Sequence, residues 1–382
     1  MSRIVDLSSA VAAGAHAIIP PMATLANRPV ALSTGAQEGV AARANRHVAA
    51  WLLVCCALVF ALVVVGGVTR LTHSGLSITE WQPIVGTLPP VSDADWDSAF
   101  SKYRLTPEYI QVNKGMSLSE FQRIFWWEYV HRLLGRLVGF VFLVPFLWFL
   151  VRRKIPPGYG AGFAVIFALG AAQGALGWYM VKSGLVDDPR VSQFRLTAHL
   201  GLAFLIFAAM FWAALSLLSP KPADRGSAGT GVGPGHFWAA GAAVLIFLQV
   251  LSGGMVAGIR AGLAYNTFPL MNGALVPPEI LALDPAWKNF FYNMATVQFD
   301  HRLLAWILAL AVPLLWWKIA RNARAPRAAR VGANLLLAML AVQVTLGILT
   351  LVHVVPVSLA ALHQAGALLL FASALYLAHR TR

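Results

Sequence analysis

The sequence contains few charged residues, and acidic residues are about half as common as basic ones. Only 12% of the 382 residues are charged, with 15 Asp and Glu against 29 Lys and Arg. Soluble globular proteins carry about 25% charged residues, so this chain falls outside that class. Hydrophobic residues make up 58% of it, a composition typical of a polytopic membrane protein.

Cysteine is nearly absent. The two cysteines, Cys55 and Cys56, are adjacent in the first long apolar run. Neighbouring cysteines are poor candidates for a structural disulfide, and the sequence has no CxxC or CxxCH motif. These absences exclude covalent c-type haem attachment and predict that both cysteines are buried core residues.

Eight apolar runs are long enough to cross a bilayer, which takes about 20 residues in a helix. Such segments must be helical because lipid offers no hydrogen-bond partner to an open backbone. We therefore predict an all-α integral membrane protein with eight transmembrane helices. The predicted spans are 49–69, 129–151, 161–181, 197–218, 237–258, 299–318, 331–352 and 359–378.

The net charge of +14 is concentrated in a few short segments. If the N-terminus is cytoplasmic, the cytoplasmic segments hold 16 Lys and Arg against three acidic residues, and the outer side holds 13 against 12. This positive-inside distribution predicts cytoplasmic N and C termini and disfavours nucleic acid as a partner. Residues 1–47 are predicted to be a cytoplasmic tail. Since the tail is a weak presequence, a bacterial inner membrane is preferred to a mitochondrial one.

Short motifs recur in the same order along the chain. HRLLG begins at His131 and returns as HRLLA at His301, and QGALG begins at Gln173 and returns as QVTLG at Gln343. The first and fifth predicted helices both end in a double glycine followed by a loop that contains Pro-Pro. Recurrence of several motifs in one order indicates an internal duplication.

The duplication divides the chain into two four-helix bundles. The predicted halves are 48–218 and 236–382, joined by a Pro- and Gly-rich linker at 219–235. Because each half contains an even number of helices, both halves have the same orientation, and the duplication is parallel.

Four of the ten histidines lie at the predicted outer ends of helices 2, 4, 6 and 8, at similar depth. Two histidines on facing helices can bind a haem iron from its two faces, so we predict two haem sites. Core histidines that hydrogen-bond neighbouring helices are the alternative, and zinc or copper would also accept imidazoles. The candidates are His131, His199, His301 and His363.

Haem propionates are anionic and require basic partners near the outer surface. Arginine suits bidentate carboxylate binding, and snorkelling at the interface is the alternative role for each arginine there. The candidate propionate contacts are Arg70, Arg132, Arg136, Arg195, Arg260 and Arg302.

One carboxylate breaks the symmetry of the repeat. Glu128 stands three residues before His131, which places both side chains on one face of a helix. The position 170 residues later is Gln298, which cannot take up a proton. A carboxylate near one iron can accept a proton or stabilise a developing cation, so Glu128 is the candidate catalytic residue. A surface ion pair with Arg132 or another arginine is the alternative.

The motifs resemble those of the haem A synthase family. The resemblance covers residues 48–380. Within the family, the chain is similar to the branch found in alphaproteobacteria and mitochondria, since its outer loops lack the cysteine pairs of another branch. The stretches that carry it are GGVTRLTHSGLSITEWQPIVGTLPP, WWEYVHRLLGR, RLTAHLG, NTFPLMNG and DHRLLA followed by LHQAG.

The resemblance implies a reaction and a division of labour. The family oxidises the C8 methyl group of haem O to the formyl group of haem A for terminal oxidases, by successive hydroxylation and loss of water. The resemblance further implies that His301 and His363 bind a haem b cofactor that relays electrons, and that His131 and His199 bind the substrate haem O. Glu128 matches the family's essential glutamate.

Two other functional classes share part of this pattern. A non-enzymatic dihaem b-type cytochrome would use the same four histidines, and a small-molecule transporter would fit the parallel repeat. Membrane lipid and haem O are the expected partners, whereas a haem O synthase, an electron acceptor and a second copy of the chain are left open. In the outer loops, we predict short amphipathic helices within 92–125 and again within 259–298.

Overall fold

A computed structural model of the chain describes residues 34–81, 85–186, 189–219 and 234–382. Most of the predicted tail, residues 1–33, lies outside the described residues, as does the predicted linker over 220–233. Residues Ala41–Arg382 belong to a single structural unit. Within the described ranges the secondary structure is helical, apart from one isolated bridge between Met271 and Ala274.

All eight predicted spans are confirmed as helices that are long and apolar enough to cross a membrane. Three shorter α-helices lie in the loops, two within 92–125 and one within 259–298, as predicted. The α-helices of the described part are α1 Thr34–Leu71, α2 Asp93–Tyr103, α3 Pro107–Gln111, α4 Leu118–Val151, α5 Gly160–Gly184, α6 Gln193–Leu218, α7 Pro234–Gly258, α8 Asn289–Tyr292, α9 Met294–Arg321, α10 Arg327–Val352 and α11 Val357–Arg380.

Helix α4 begins eleven residues before its predicted start. Ser117 and Glu120 form a capping box in which the Ser117 amide donates to Glu120 Oε2 at 2.8 Å, and the Glu120 amide donates to Ser117 Oγ at 3.4 Å. Such a box satisfies the free N–H groups of the first helical turn. The apolar run alone did not predict the first of these turns because their exposed residues, Ser119, Glu120 and Arg123, are polar.

Helices α1, α6, α7 and α11 are the most buried of the eight. Cys56 Sγ of α1 lies 3.9 Å from the Phe207 carbonyl oxygen in α6, and Gln364 Nε2 of α11 donates to the Val63 carbonyl oxygen at 2.9 Å. Cys55 and Cys56 are both buried and free, as predicted. These contacts join α1 directly to α6 and to α11, the last helix of the chain.

Helices α2 and α3 pack beside the start of α4. Their shared core is aromatic, and the rings of Trp96 and Phe125 meet edge to face with centroids 4.9 Å apart. Aromatic pairs of this kind add about 0.5–1.5 kcal/mol beyond area burial. The buried rings, which fix the loop against α4, are Trp96, Tyr103, Phe121, Phe125 and Tyr129.

Candidate functional site

Each of the four candidate histidine rings rests on a glycine of the spanning helix that precedes it in the chain. Non-bonded carbon atoms prefer a separation of about 3.5–4.0 Å, so any side chain at these glycines would press on the ring. The distance from a built Cβ to the imidazole Cε1 is 2.7 Å for Gly66 and His131, 3.1 Å for Gly177 and His199, 3.2 Å for Gly253 and His301, and 2.9 Å for Gly347 and His363.

A glutamine lies four residues before the glycine at three of these sites. Its Nε2 donates to the backbone carbonyl oxygen of the histidine, which ties neighbouring helices together at the level of the ring. The pairs are Gln173 with His199 at 2.9 Å, Gln249 with His301 at 3.1 Å, and Gln343 with His363 at 2.9 Å. At the fourth site the corresponding position is Leu62.

Sequence reasoning missed the role of these glutamines. It recognised Gln173 and Gln343 only as part of the repeat, and it did not single out Gln249. The signal was the spacing Q-x-x-x-G, which places the glutamine and the glycine one turn apart on the same helix face.

The structure brings the histidines together in two pairs. His131 lies within electrostatic range of His199, and His301 lies within electrostatic range of His363. Buried polar atoms are normally hydrogen-bonded, yet three of the Nδ1 atoms are buried without a partner in the described part of the chain. They belong to His131, His199 and His363.

Each pair of imidazoles could hold a haem iron. The glycines leave room for the rings between the helices. Among the described residues, no three His, Cys, Asp or Glu side chains lie together as ligands for a lone metal ion.

Glu128 is only 2% exposed, and both of its carboxylate oxygens are hydrogen-bonded. Oε2 accepts from the Ser77 hydroxyl and the Ile78 amide, each at 2.7 Å, and Oε1 accepts from the Arg132 guanidinium at 2.6 and 3.0 Å. Arg132 also donates to the carbonyl oxygens of Ile78 and Glu80. The ion pair with Arg132 is therefore real, and together the two side chains hold the loop after α1 against α4.

Gln298 and Arg302 hold the loop after α7 in a similar way. Gln298 Nε2 donates to the carbonyl oxygens of Ala261 at 3.0 Å and Tyr265 at 3.3 Å. Arg302 donates to Tyr265 at 2.9 Å and to Thr267 at 3.0 Å. The polarity is reversed relative to Glu128, because the Gln298 amide donates to its loop whereas the carboxylate accepts.

Arg70 and Arg260 cross between the ends of α1 and α7. Arg70 donates to the Ala257 carbonyl oxygen at 3.1 Å, and an Arg260 guanidinium nitrogen lies 3.3 Å from His73 Nδ1. The two guanidinium groups are near enough to repel each other. This concentration of positive charge suits an anionic group.

The two remaining candidate arginines lie in different surroundings. Arg195 lies over the Tyr179 ring, with its guanidinium carbon 4.6 Å from the centroid, in cation–π geometry. Arg136 lines a cavity of about 390 Å³ together with Arg132, Glu80 and residues of α2.

Glu108, in the short helix α3, is a second buried carboxylate that the sequence did not reveal. It is 4% exposed, and its Oε2 atom has no hydrogen-bond partner in the described part. Burial raises its pKa to about 8, the charge of Glu128 adds to the rise, and Arg70 and Arg260 oppose it. A carboxyl group that holds a proton near neutral pH is an acid–base candidate beside Glu128.

Comparison with known proteins defines the class of the chain. Residues 49–375 match the COX15-CtaA family model, described as cytochrome oxidase assembly protein. Three similar proteins are each named "Heme A synthase". They are from Nitrosospira multiformis, 62% identical over 88% of this chain and 94% of the relative; Nitrosomonas eutropha, 56% identical over 87% and 93%; and Parvibaculum lavamentivorans, 50% identical over 88% and 95%. The chain belongs to the haem A synthase family, which confirms the resemblance seen in its motifs.

Proposed function

We propose that the chain oxidises the C8 methyl group of haem O to the formyl group of haem A. The observation that carries the proposal is the set of four imidazoles in two pairs, each ring resting on a glycine, with the buried carboxylate of Glu128 three residues before His131 on the same helix. The match over residues 49–375 to the family and the names of its relatives support it.

The proposed architecture is a parallel duplication of four-helix halves, 48–218 and 236–382, with both termini in the cytoplasm of a bacterium and the eight spans in its inner membrane. The repeated glycine–histidine contact supports the duplication, because it recurs in every second spanning helix. The Lys and Arg excess of the connections on one side supports the orientation.

In this proposal His131 and His199 hold the substrate haem O, and His301 and His363 hold haem b. When bound, haem b supplies the one-electron chemistry that carries electrons from the substrate to an acceptor. The six candidate arginines are the proposed propionate contacts. Arg136 is preferred among them because it lines the cavity beside Glu128's ion-pair partner.

Glu128 is the proposed proton acceptor of the reaction. Each hydroxylation adds an oxygen from water to the methyl carbon and releases two electrons and two protons, and loss of water from the gem-diol leaves the formyl group. The bonds from Arg132, Ser77 and Ile78 stabilise the ionised carboxylate, which is the form that accepts protons and steadies positive charge at the reacting carbon.

Haem extraction and chromatography of the purified protein test this function. Wild type expressed with haem O should carry haem b together with haem O or haem A, and Glu128→Gln should keep both haems but accumulate haem O or a hydroxylated intermediate. The matched control is Ser77→Ala, which removes one bond to Glu128 and keeps the carboxylate; it should still form haem A.

A dihaem electron carrier predicts a different result. Both sites would then contain only haem b in spite of the haem O supply, and Glu128→Gln would leave the haem composition unchanged. That outcome would refute the synthase proposal while retaining the four histidines as ligands.

A further inference from the structure

His301 differs from the other candidate ligands in the contacts of its Nδ1 atom. Ser252 Oγ lies 3.1 Å from His301 Nδ1. Ser252 directly precedes Gly253, the residue on which the ring rests, so two adjacent residues of α7 lie against the imidazole. The His301 ring is thus held by a hydroxyl group at the nitrogen that, among the described residues, has no hydrogen-bond partner at the other three sites.

The other three sites have no hydroxyl group at this position. Backbone carbonyl groups of Leu62 and Gln343 lie near the rings of His131 and His363, but mutation of a side chain cannot remove those groups. The residues that directly precede the glycines are apolar: Val65, Leu176 and Leu346.

The Gln249 amide also contacts the ring, with Nε2 3.2 Å from His301 Nδ1 and 3.3 Å from His301 Nε2. That nitrogen carries only donor hydrogens, and it donates to the His301 carbonyl oxygen at 3.1 Å. It therefore cannot accept a proton from Nδ1. The Ser252 hydroxyl can accept it, which places the lone pair on His301 Nε2; a metal bound there would take the place of the Gln249 amide, which lies 3.3 Å from this nitrogen.

We propose that Ser252 is a positioning residue that fixes the tautomer of His301, strengthens Nε2 as an iron ligand, and lowers the midpoint potential of the haem bound there. The proposal rests on the proposed function, because it requires haem ligation by His301. A hydrogen bond at the second ring nitrogen makes a ligating imidazole more basic, and a more basic axial ligand favours the oxidised iron.

A redox titration of the purified full-length chain with its haems, followed in the visible α band, tests the proposal. For Ser252→Ala, the ratio of reduced to oxidised haem at the wild-type midpoint should rise by a factor of about three to ten. A factor of ten corresponds to 59 mV for a one-electron couple. Ser252→Thr keeps a hydroxyl group and should restore the wild-type midpoint.

The matched control is Val65→Thr, a nearly isosteric change directly before Gly66. It introduces a hydroxyl group near His131 and should leave the midpoint of the haem at His301 unchanged. The low-spin electron paramagnetic resonance signal of the same samples should change for Ser252→Ala and match wild type for Ser252→Thr.

Two outcomes would overturn the proposal. One is a wild-type midpoint for Ser252→Ala with haem still bound at His301. The other is haem loss in Ser252→Ala that Ser252→Thr does not restore, since the serine would then act through packing alone. Failure of the proposed function has a different signature. If His301 binds no haem, His301→Ala keeps the haem content and the spectrum of wild type.

Discussion

Replacing Gly66 with alanine should displace the His131 ring and weaken haem binding between His131 and His199. The new Cβ would lie 2.7 Å from Cε1 and 3.2 Å from Nδ1 of His131, and the first distance is about 1 Å shorter than a normal carbon–carbon contact. Overpacking of this kind costs about 1–3 kcal/mol. If the ring must return to its place to bind iron, haem affinity falls by a factor of about 5 to 150.

The assay is the haem-to-protein ratio of purified variants after serial dilution, together with the visible spectrum of the low-spin haem. Gly174→Ala is the matched control, because a Cβ at Gly174 meets nothing within 4 Å, and alanine favours a helix over glycine by up to about 1 kcal/mol. It should keep its haem.

The four glycines differ in the distance from a built Cβ to the histidine ring, so their alanine variants can be ranked. The clash is severest at Gly66 and Gly347 and mildest at Gly177 and Gly253. Alanine variants should therefore lose haem in that order. Full haem retention by Gly66→Ala, or a greater loss from Gly253→Ala than from Gly66→Ala, would refute the idea that these glycines set the position of the rings.

Three further predictions concern the outer ends of the helices. The folded protein holds a proton on Glu108 up to a pKa of about 8, whereas the unfolded chain loses it near the ordinary value of 4.5, so stability should fall as pH rises through this window, by up to about 5 kcal/mol. Glu108→Gln removes the effect, and its thermal unfolding temperature in detergent should exceed that of wild type at pH 8 but not at pH 4.5; equal pH dependence of the two proteins would contradict this. Arg132→Gln leaves the buried Glu128 without its ion pair and should destabilise the protein by about 3 kcal/mol. Proteolysis of the loop after α1 should be faster than in Arg195→Gln. Equal rates of proteolysis in the two variants would show that Arg132 does not hold this loop against α4. Gln298→Glu places carboxylate oxygens next to the Ala261 and Tyr265 carbonyl oxygens and should lower the free energy of unfolding by about 1–3 kcal/mol. Thermal unfolding measures this change, and an unchanged unfolding temperature would show that the loop does not depend on the Gln298 amide.

The spanning helices were predictable because their driving force is local. Each apolar run must be helical in lipid whatever its neighbours are, so the eight spans could be predicted without tertiary contacts. The polar first turns of the helices were not predictable in this way, and α4 is the clearest case. Its first turns depend on the capping box of Ser117 and Glu120, a local signal that hydropathy does not measure.

The site was predictable only where the spacing of residues along one helix carried the information. Arg132, four residues after Glu128, could be foreseen as its partner. The contacts of Ser77 and Ile78 with Glu128, and the burial of Glu108, depend on how residues 72–81 and 85–117 fold back on α4. No periodicity in that loop encodes its final position, so the sequence predicted short amphipathic helices there but not their contacts with α4.

Glu128 accepts hydrogen bonds from the loop after α1, whereas Gln298 donates hydrogen bonds to the loop after α7. This difference changes how a Glu128 variant should be interpreted. Glu128→Gln is not a simple removal of charge, because both oxygens of Glu128 accept hydrogen bonds. A glutamine must turn its NH2 group toward Arg132 or toward the Ile78 amide, and in either direction donor meets donor; the Ser77 hydroxyl alone can turn to accept. The Gln298 loop avoids this conflict because its partners are carbonyl oxygens.

Loss of activity in Glu128→Gln therefore has two physical sources, a missing proton acceptor and a strained loop. Ser77→Ala separates them, because it loosens the loop tie while the carboxylate and its ion pair with Arg132 remain. A variant that keeps the acceptor but loses part of the tie should keep making haem A if proton transfer is what Glu128 contributes. If Ser77→Ala stalls at the same intermediate as Glu128→Gln, the geometry of the loop, rather than the charge of Glu128, limits the reaction.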